Sequence, residues 1–478
     1  MKVLLIQPPE FHMITTNVPS VVDEESGAYP PLGLLYVAAY LERNTAHTVE
    51  ILDTILDHLS YEEIEAELRR RKPDVVGIQA MTFTLIDAIL TAKAVKRVNS
   101  ATPVILGGPH VFIYPRETLE IPEVDYIVVG EGEETFTRLV EALAEDRDIS
   151  AIHGIGFRRR GETVLTPLVP LLSDLDSLPM PARHLVPQDR YYSVLAQELP
   201  ITTMMTSRGC PMQCIFCDRP HLGKTFRYRS PESVVQEMQD CEEKGIREIF
   251  VYDDTFTIRR DRVIDICRMY QERGLRVGWD IRAHINTMTD AVLDALAAAG
   301  CRRIHYGVEA GTAEIVKVLK KGIDLERTRA VFSQTKARGI TTLGYFMIGN
   351  PGETREQVLE TIRFARNLDA DYIHLSVATP FPATELYQLG FERGLYREDY
   401  WREFSRDPQP DFKPRLWEEM MNRDELIHLM RMGYRQYYMR PRYLLKRVLD
   451  VRSWSEFRRK AKAGLRLLTW GANAHGVL

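Results

Sequence analysis

Along the first 150 positions, apolar residues fall into short runs separated by stretches of helical period. Residues 3–7, 48–53, 74–80, 103–107 and 126–130 read as strands. Residues 32–43, 61–71, 85–98 and 133–145 repeat apolar side chains at helical spacing. Strands that are apolar throughout and alternate with helices predict a parallel sheet covered on both faces. Five such units make an α/β domain, doubly wound and Rossmann-like, over residues 1–150. The pattern weakens over 151–199, where Pro167, Pro170, Pro179, Pro181 and Pro187 predict a semi-rigid linker. A second series then begins, with strands at 201–206, 248–252, 276–281, 303–307, 341–348 and 372–377. Helices follow at 231–244, 259–273, 290–299, 313–320, 325–338 and 353–368. Six βα units predict a partial (βα)6 barrel over 200–410, followed by a basic helical segment over 411–478.

In both folds ligands bind at the carboxyl ends of the strands. In the first domain those ends carry Gln7-Pro-Pro9, Asp53-Thr54, Ala80-Met-Thr-Phe-Thr84, Gly107-Gly-Pro-His110 and Gly130-Glu-Gly-Glu133. Each alone reads as a tight turn, but five on one edge point to a site for something large. No G-x-G-x-x-G is present, which disfavours a nicotinamide or flavin dinucleotide. In the barrel the corresponding ends carry a cysteine cluster, Asp253-Asp254, Asp280 with Arg282, Glu309 and Gly349-Asn-Pro-Gly-Glu353.

Composition adds little against this picture. With 62 Lys+Arg and 67 Asp+Glu the net charge is −5, which gives no reason to expect a nucleic-acid partner. No run approaches ~18 uninterrupted apolar residues, and residues 1–7 are too short an apolar run for a signal peptide, so the reading is of a cytoplasmic protein. Residues 431–478 stand apart, with a net charge of +10.

Three of the six cysteines, Cys210, Cys214 and Cys217, fall within eight residues, as C-x3-C-x2-C. Clustering of this kind in a reducing compartment points to metal or redox chemistry, whereas the isolated Cys241, Cys267 and Cys301 read as small core residues. Three thiolates on one loop suit three irons of a [4Fe–4S] cluster, leaving the fourth open to another ligand. The alternative is structural zinc with His221 as fourth ligand.

With Phe216 between the second and third cysteines, the motif resembles that of the radical S-adenosylmethionine superfamily. The resemblance implies that the open iron chelates S-adenosylmethionine and that its reductive cleavage gives a 5′-deoxyadenosyl radical. It further implies Phe216 near the adenine and Asp253 and Asp254 in the place of the segment that binds the methionine amino group. Arg282 falls on the methionine carboxylate, Glu309 on the ribose, and Gly349 and Pro351 on the adenine-supporting segment. An electron donor such as flavodoxin or ferredoxin is implied as a partner.

Tyr29-Pro-Pro-Leu-Gly-Leu-Leu35, Gly107-Gly-Pro-His110 and Gly130-Glu-Gly-Glu133 ahead of such a barrel resemble the cobalamin-binding class of that superfamily. The implied cobalamin residues are Pro31, Gly33, Thr82, Phe83, Thr84, Gly107, Gly108, His110, Gly130, Glu131 and Gly132. Gly107 and Gly108 would let the nucleotide tail pass and residues 82–84 would face the lower side of the corrin. The Asp-x-His-x-x-Gly motif for a cobalt-ligating histidine is absent, and the resemblance implies a class that binds cobalamin without that histidine; His110 as a cobalt ligand is the minor alternative.

The activity implied is methyl transfer to an unreactive carbon or phosphinate phosphorus of a small-molecule substrate. The alternative is oxidative cyclisation, as in the anaerobic magnesium-protoporphyrin ester cyclase, whose branch the 253–256 and 440–442 stretches resemble. A non-catalytic cobalamin sensor is the remaining reading. Aromatics at Phe381, Tyr387, Tyr400, Trp401, Phe404 and Trp417 would stack on a flat substrate or form core. The basic amphipathic stretch 431–478 would lie on an anionic membrane surface or pack on the barrel.

Overall fold

In the computed structural model, residues 1–15, 27–217 and 222–449 are described. His221, and with it the zinc alternative, lies outside them, as does the tail from 450 onward.

The first sheet has seven strands in the spatial order Thr48–Asp53, Lys2–Gln7, Val75–Gln79, Val104–Gly107, Tyr126–Val128, Ile155–Arg159 and Glu162–Leu165. The first five are parallel and the last two antiparallel. Residues 155–165 fall in the stretch read as linker, yet they extend this sheet. Their signal was masked because one face of an edge hairpin is wet, so Arg158, Arg159 and Glu162 interrupt the apolar run. From Lys2–Gln7 the chain first adds Thr48–Asp53 on one side and then Val75–Gln79 on the other. The carboxyl ends of Lys2–Gln7 and Val75–Gln79 therefore flank a topological switch point, where such sheets bind ligands.

The second sheet has six parallel strands, Ile201–Met204, Glu248–Val251, Gly278–Ala283, Cys301–Glu309, Thr341–Ile348 and Tyr372–Val377, in sequence order across the sheet. Alternate residues point to opposite faces. Ile249, Trp279, Ile281, Ile304, Tyr306, Phe346 and Ile348 pack outward on the helices, in a core that also buries Cys241, Cys267 and Cys301. The other parity, Phe250, Asp280, Arg303, His305 and Tyr345, forms the polar inner face.

The helix Arg423–Tyr438 closes the last strand's edge. Tyr434 Oη accepts from Leu375 N–H at 2.9 Å, and Tyr438 Oη both accepts from Ile373 N–H at 3.0 Å and donates to Ile373 C=O at 2.8 Å. This part of the basic segment is thus packed on the barrel. Among the described residues no helix is long and apolar enough to cross a membrane.

Candidate functional site

Two cavities lie at the carboxyl ends of the two sheets. The first is a cleft of about 220 Å³ walled by Leu5, Gly33, Tyr36, Gln79, Gly107, Gly108, Gly130, Glu131, Gly132, Glu133 and Phe136, with Met205, Arg208 and Leu222 from the barrel side. A Cβ built at Gly33 or Gly130 meets no atom within 4 Å, so both glycines open onto the cleft. Gly108 has φ +116°, and a Cβ there would come within 2.8 Å of the Ala80 carbonyl oxygen, so only glycine fits. The amide oxygens of Gln7 and Gln79, at the two strand ends that flank the switch point, are buried with no hydrogen-bond partner. A large ligand with an amide-rich rim, as cobalamin has, suits this apolar cleft and the orphaned acceptor of Gln79 in its wall.

Of the residues named for cobalamin, Gly33, Gly107, Gly108, Gly130, Glu131 and Gly132 line the cleft, and Pro31, Thr82, Phe83, Thr84 and His110 do not. His110 is fully buried beneath it, 3.2 Å from Thr82 Oγ1, and burial pushes its imidazole down to about 3. Glu131 is also a structural tie, because it pairs with Arg208 and Arg227 at 2.8 Å and accepts from Leu172 N–H at 2.7 Å. Tyr36, Gln79, Phe136 and Arg208 were missed. Nothing in their local sequence marks them, since three come from mid-helix or a strand terminus and one from the other domain.

The second cavity, about 130 Å³, is walled by Cys210, Met212, Cys214, Phe216, Cys217, Gly223, Lys224, Asp254, Thr255, His284 and Lys321. Ile215 anchors the cysteine loop on both sides. Its N–H donates to Leu319 C=O at 3.2 Å and its C=O accepts from Leu386 N–H at 2.8 Å. Burial pushes the Cys214 thiol up to about 11, so it is metal ligation that would draw off its proton. Among the described residues no three His, Cys, Asp or Glu side chains converge on one ion. Three thiols around a cavity instead suit a cluster, in which each thiolate takes its own iron.

Phe216 and Asp254 line this cavity. Asp253 does not, because it is fully buried below the loop. Its carboxylate accepts from the N–H groups of Thr206 (2.6 Å) and Ser207 (3.0 Å) and from both hydroxyls (2.5 and 2.6 Å). With four donors satisfied it anchors the chain three residues before Cys210. Glu309, at φ +71° on a bulge, pairs with Lys321 Nζ at 2.8 Å, and Lys321 lies 5.8 Å from the Phe216 ring centroid. Gly307 makes room for that pair, since a Cβ there would strike both Lys321 Nζ and the Glu309 carboxylate. Burial pulls the Lys321 ammonium down, but Glu309 and the nearby thiols more than offset it and hold its pKa above the usual lysine value.

Arg282 sits inside the barrel, its guanidinium 4.3 Å from the Tyr252 ring centroid and donating to Val251 C=O. His284, two residues further along, reaches the cavity in its place. Gly349, at φ +72°, packs against Leu426, and neither it nor Pro351 lines the cavity. Burial pushes the nearby Glu353 carboxyl up to about 7. His284 and Lys321 were not anticipated. The strand-end rule points to His284, whereas Lys321 comes from a turn with no distinguishing pattern.

Residues 20–140 match the model of the B12 binding domain and residues 204–365 that of the radical SAM superfamily. The chain is 35% identical to an uncharacterized methyltransferase of Pyrococcus horikoshii over 94% of its own length and 95% of that protein's. It is 29% identical to the anaerobic magnesium-protoporphyrin IX monomethyl ester cyclase of Rubrivivax gelatinosus, over 93% of this chain and 78% of that one. Its fold is similar to that of the radical S-adenosylmethionine methyltransferase TsrM from Kitasatospora setae, with TM-score 0.68, 23% identity, and coverage of 82% and 78% of the two chains. With both domain models matched in order and a relative aligned along nearly its whole length, the chain belongs to the cobalamin-dependent radical S-adenosylmethionine enzymes, which work with a [4Fe–4S] cluster, S-adenosylmethionine and cobalamin.

Proposed function

We propose that the chain transfers a methyl group to an unactivated carbon, or a phosphinate phosphorus, of a small molecule. The observation that carries this reading is that the two cavities share one wall. Met205, Arg208 and Leu222 face the cleft, while Cys210, Gly223 and Lys224, one or two residues away, face the cysteine cavity. Methyl transfer needs this adjacency, because S-adenosylmethionine supplies the hydrogen-abstracting radical and cobalamin carries the methyl group.

In this reading Cys210, Cys214 and Cys217 hold the cluster and Phe216 flanks the adenine. Asp254 faces the methionine amino group, and Lys321 supplies the cation for its carboxylate in place of Arg282. Glu309 steers Lys321 while it faces the ribose. Gly33, Gly107, Gly108 and Gly130 admit the cobalamin, with Gln79 available to its amides. A one-electron donor such as flavodoxin or ferredoxin would supply the electron for the cluster held by the three cysteines.

The test is anaerobic reconstitution with candidate substrates. A second S-adenosylmethionine would restore the methyl group on cobalamin, so methyl transfer yields 5′-deoxyadenosine and S-adenosylhomocysteine together, and Cys214→Ala abolishes the cluster absorbance and both products. Deoxyadenosine without homocysteine product would overturn methyl transfer and favour the cyclisation named for the Rubrivivax relative.

A further inference from the structure

Arg208 stands at the shared wall, lining the cleft two residues before Cys210. Its Nη1 pairs with Glu131 at 2.8 Å, its Nη2 pairs with Glu133, and its guanidinium lies 5.7 Å from the Tyr36 ring centroid. Arg227, its neighbour across a two-stranded ribbon, pairs with the same Glu131 at 2.8 Å. Two guanidinium groups and two carboxylates form a network whose side chains are 7–11% exposed. Away from water, removing one partner of such a pair is costly, because it leaves an uncompensated buried charge.

On the cleft side, Glu131 and Glu133 flank Gly132, and Gly130 at φ +99° opens onto empty space. A ligand filling the cleft therefore rests on the backbone that carries the partners of Arg208. On the cluster side, Arg208 is two residues from Cys210. Gly209 between them has φ +83° and is hemmed by the carbonyl oxygens of Thr225, Gly223 and Leu222, where any Cβ would clash. Ser207, on the other flank, is tied to Asp253. Ion pairs and close packing thus connect the 130–133 backbone to Gly209, the residue before Cys210.

We infer that Arg208 is a positioning residue that couples the two cofactor seats. Filling the cleft orders the shared wall, so S-adenosylmethionine binds the cluster cavity more tightly, and the reverse holds by the same factor because binding linkage is reciprocal. The inference rests on reading the cleft as the cobalamin seat.

The experiment uses the full chain with reconstituted cluster. Hydroxocobalamin is titrated with and without S-adenosylhomocysteine, and S-adenosylhomocysteine with and without hydroxocobalamin. The g values of the reduced cluster are recorded with and without cobalamin. The wild-type chain is expected to show mutual tightening of about 5-fold or more, equal in both directions, and a cobalamin-dependent shift in g values. The readout is the ratio of affinities, so a general weakening of one site does not mimic the result.

In R208M/E133Q both charges go together and no carboxylate is stranded. The ratio is expected to fall to about 1 and the spectral shift to vanish, as befits an uncoupled system. R208K offers a point charge that cannot span both carboxylates, and its ratio is expected to lie between the two. A wild-type ratio near 1, or an unchanged ratio in either variant, overturns the inference. No cobalamin binding by the wild-type chain would instead overturn the assignment of the cleft.

Discussion

A Cβ at Gly33 would project into the cleft and meet no protein atom within 4 Å. The position lies in the first turn of the helix Leu32–Asn44, where leucine is a better helix former than glycine by roughly 0.5–1 kcal/mol. Gly33→Leu is therefore expected to leave the melting temperature unchanged or slightly higher while cutting cobalamin retention at least tenfold. Calorimetry beside a cobalamin absorbance titration reads both, and unchanged retention would mean that the ligand does not pass Gly33. The same scale shows why residue-level reading succeeds or fails. Glycines at strand ends are visible because few other residues tolerate those conformations, as at Gly108. Lys321 and Arg208 were hidden because a cation's role depends on which carboxylate it meets, Glu309 in one case and Glu131 with Glu133 in the other.

Between residues and elements stands Asp253, read from its position as a ligand-binding group and found instead as the anchor of the cysteine loop. The strand Glu248–Val251 ends just before it, and at such an end adjacent side chains point to opposite sides, so Asp253 turns under the loop while Asp254 faces the cavity. Asp253→Ala strands two buried backbone N–H groups, and their lost bonds to a carboxylate are expected to cost roughly 3 kcal/mol. Denaturant unfolding should show that loss, with fewer irons retained per chain. Full cluster content with unchanged stability would contradict the anchoring role. Element by element, the parallel strands and their helices were legible because both faces of such a sheet are dry. The edge hairpin 155–165 was not, because one wet face breaks the pattern.

At the scale of the molecule, neither face of the first sheet is covered by its own domain alone. One face of the first sheet is completed by Tyr387, Tyr396, Tyr400, Trp401 and Phe404, and the other by Tyr191, Ile201 and Phe250. The aromatics after the last barrel strand are thus core, with Tyr387 and Tyr114 sharing Asp399 across the domains; Trp417 is buried in the barrel's own core. Shared cores predict a single cooperative unfolding transition for the intact chain. A fragment ending at 199 is expected to expose the uncovered faces, with dye binding and weak near-ultraviolet circular dichroism. Two resolved transitions in the intact chain would show that the domains fold independently.

By itself the sequence determined the two α/β sheets and the cysteine motif. Strand periodicity, helix period and ligand spacing are local properties, written in consecutive residues. Only the tertiary structure decided which groups meet, inside the barrel and across the gap between the domains. Arg208 on Glu131 and Glu133, Lys321 on Glu309, and His284 where Arg282 was expected all depend on how separate strand ends are aimed at one another. Ion pairing and burial act through space, between residues that chain order leaves far apart.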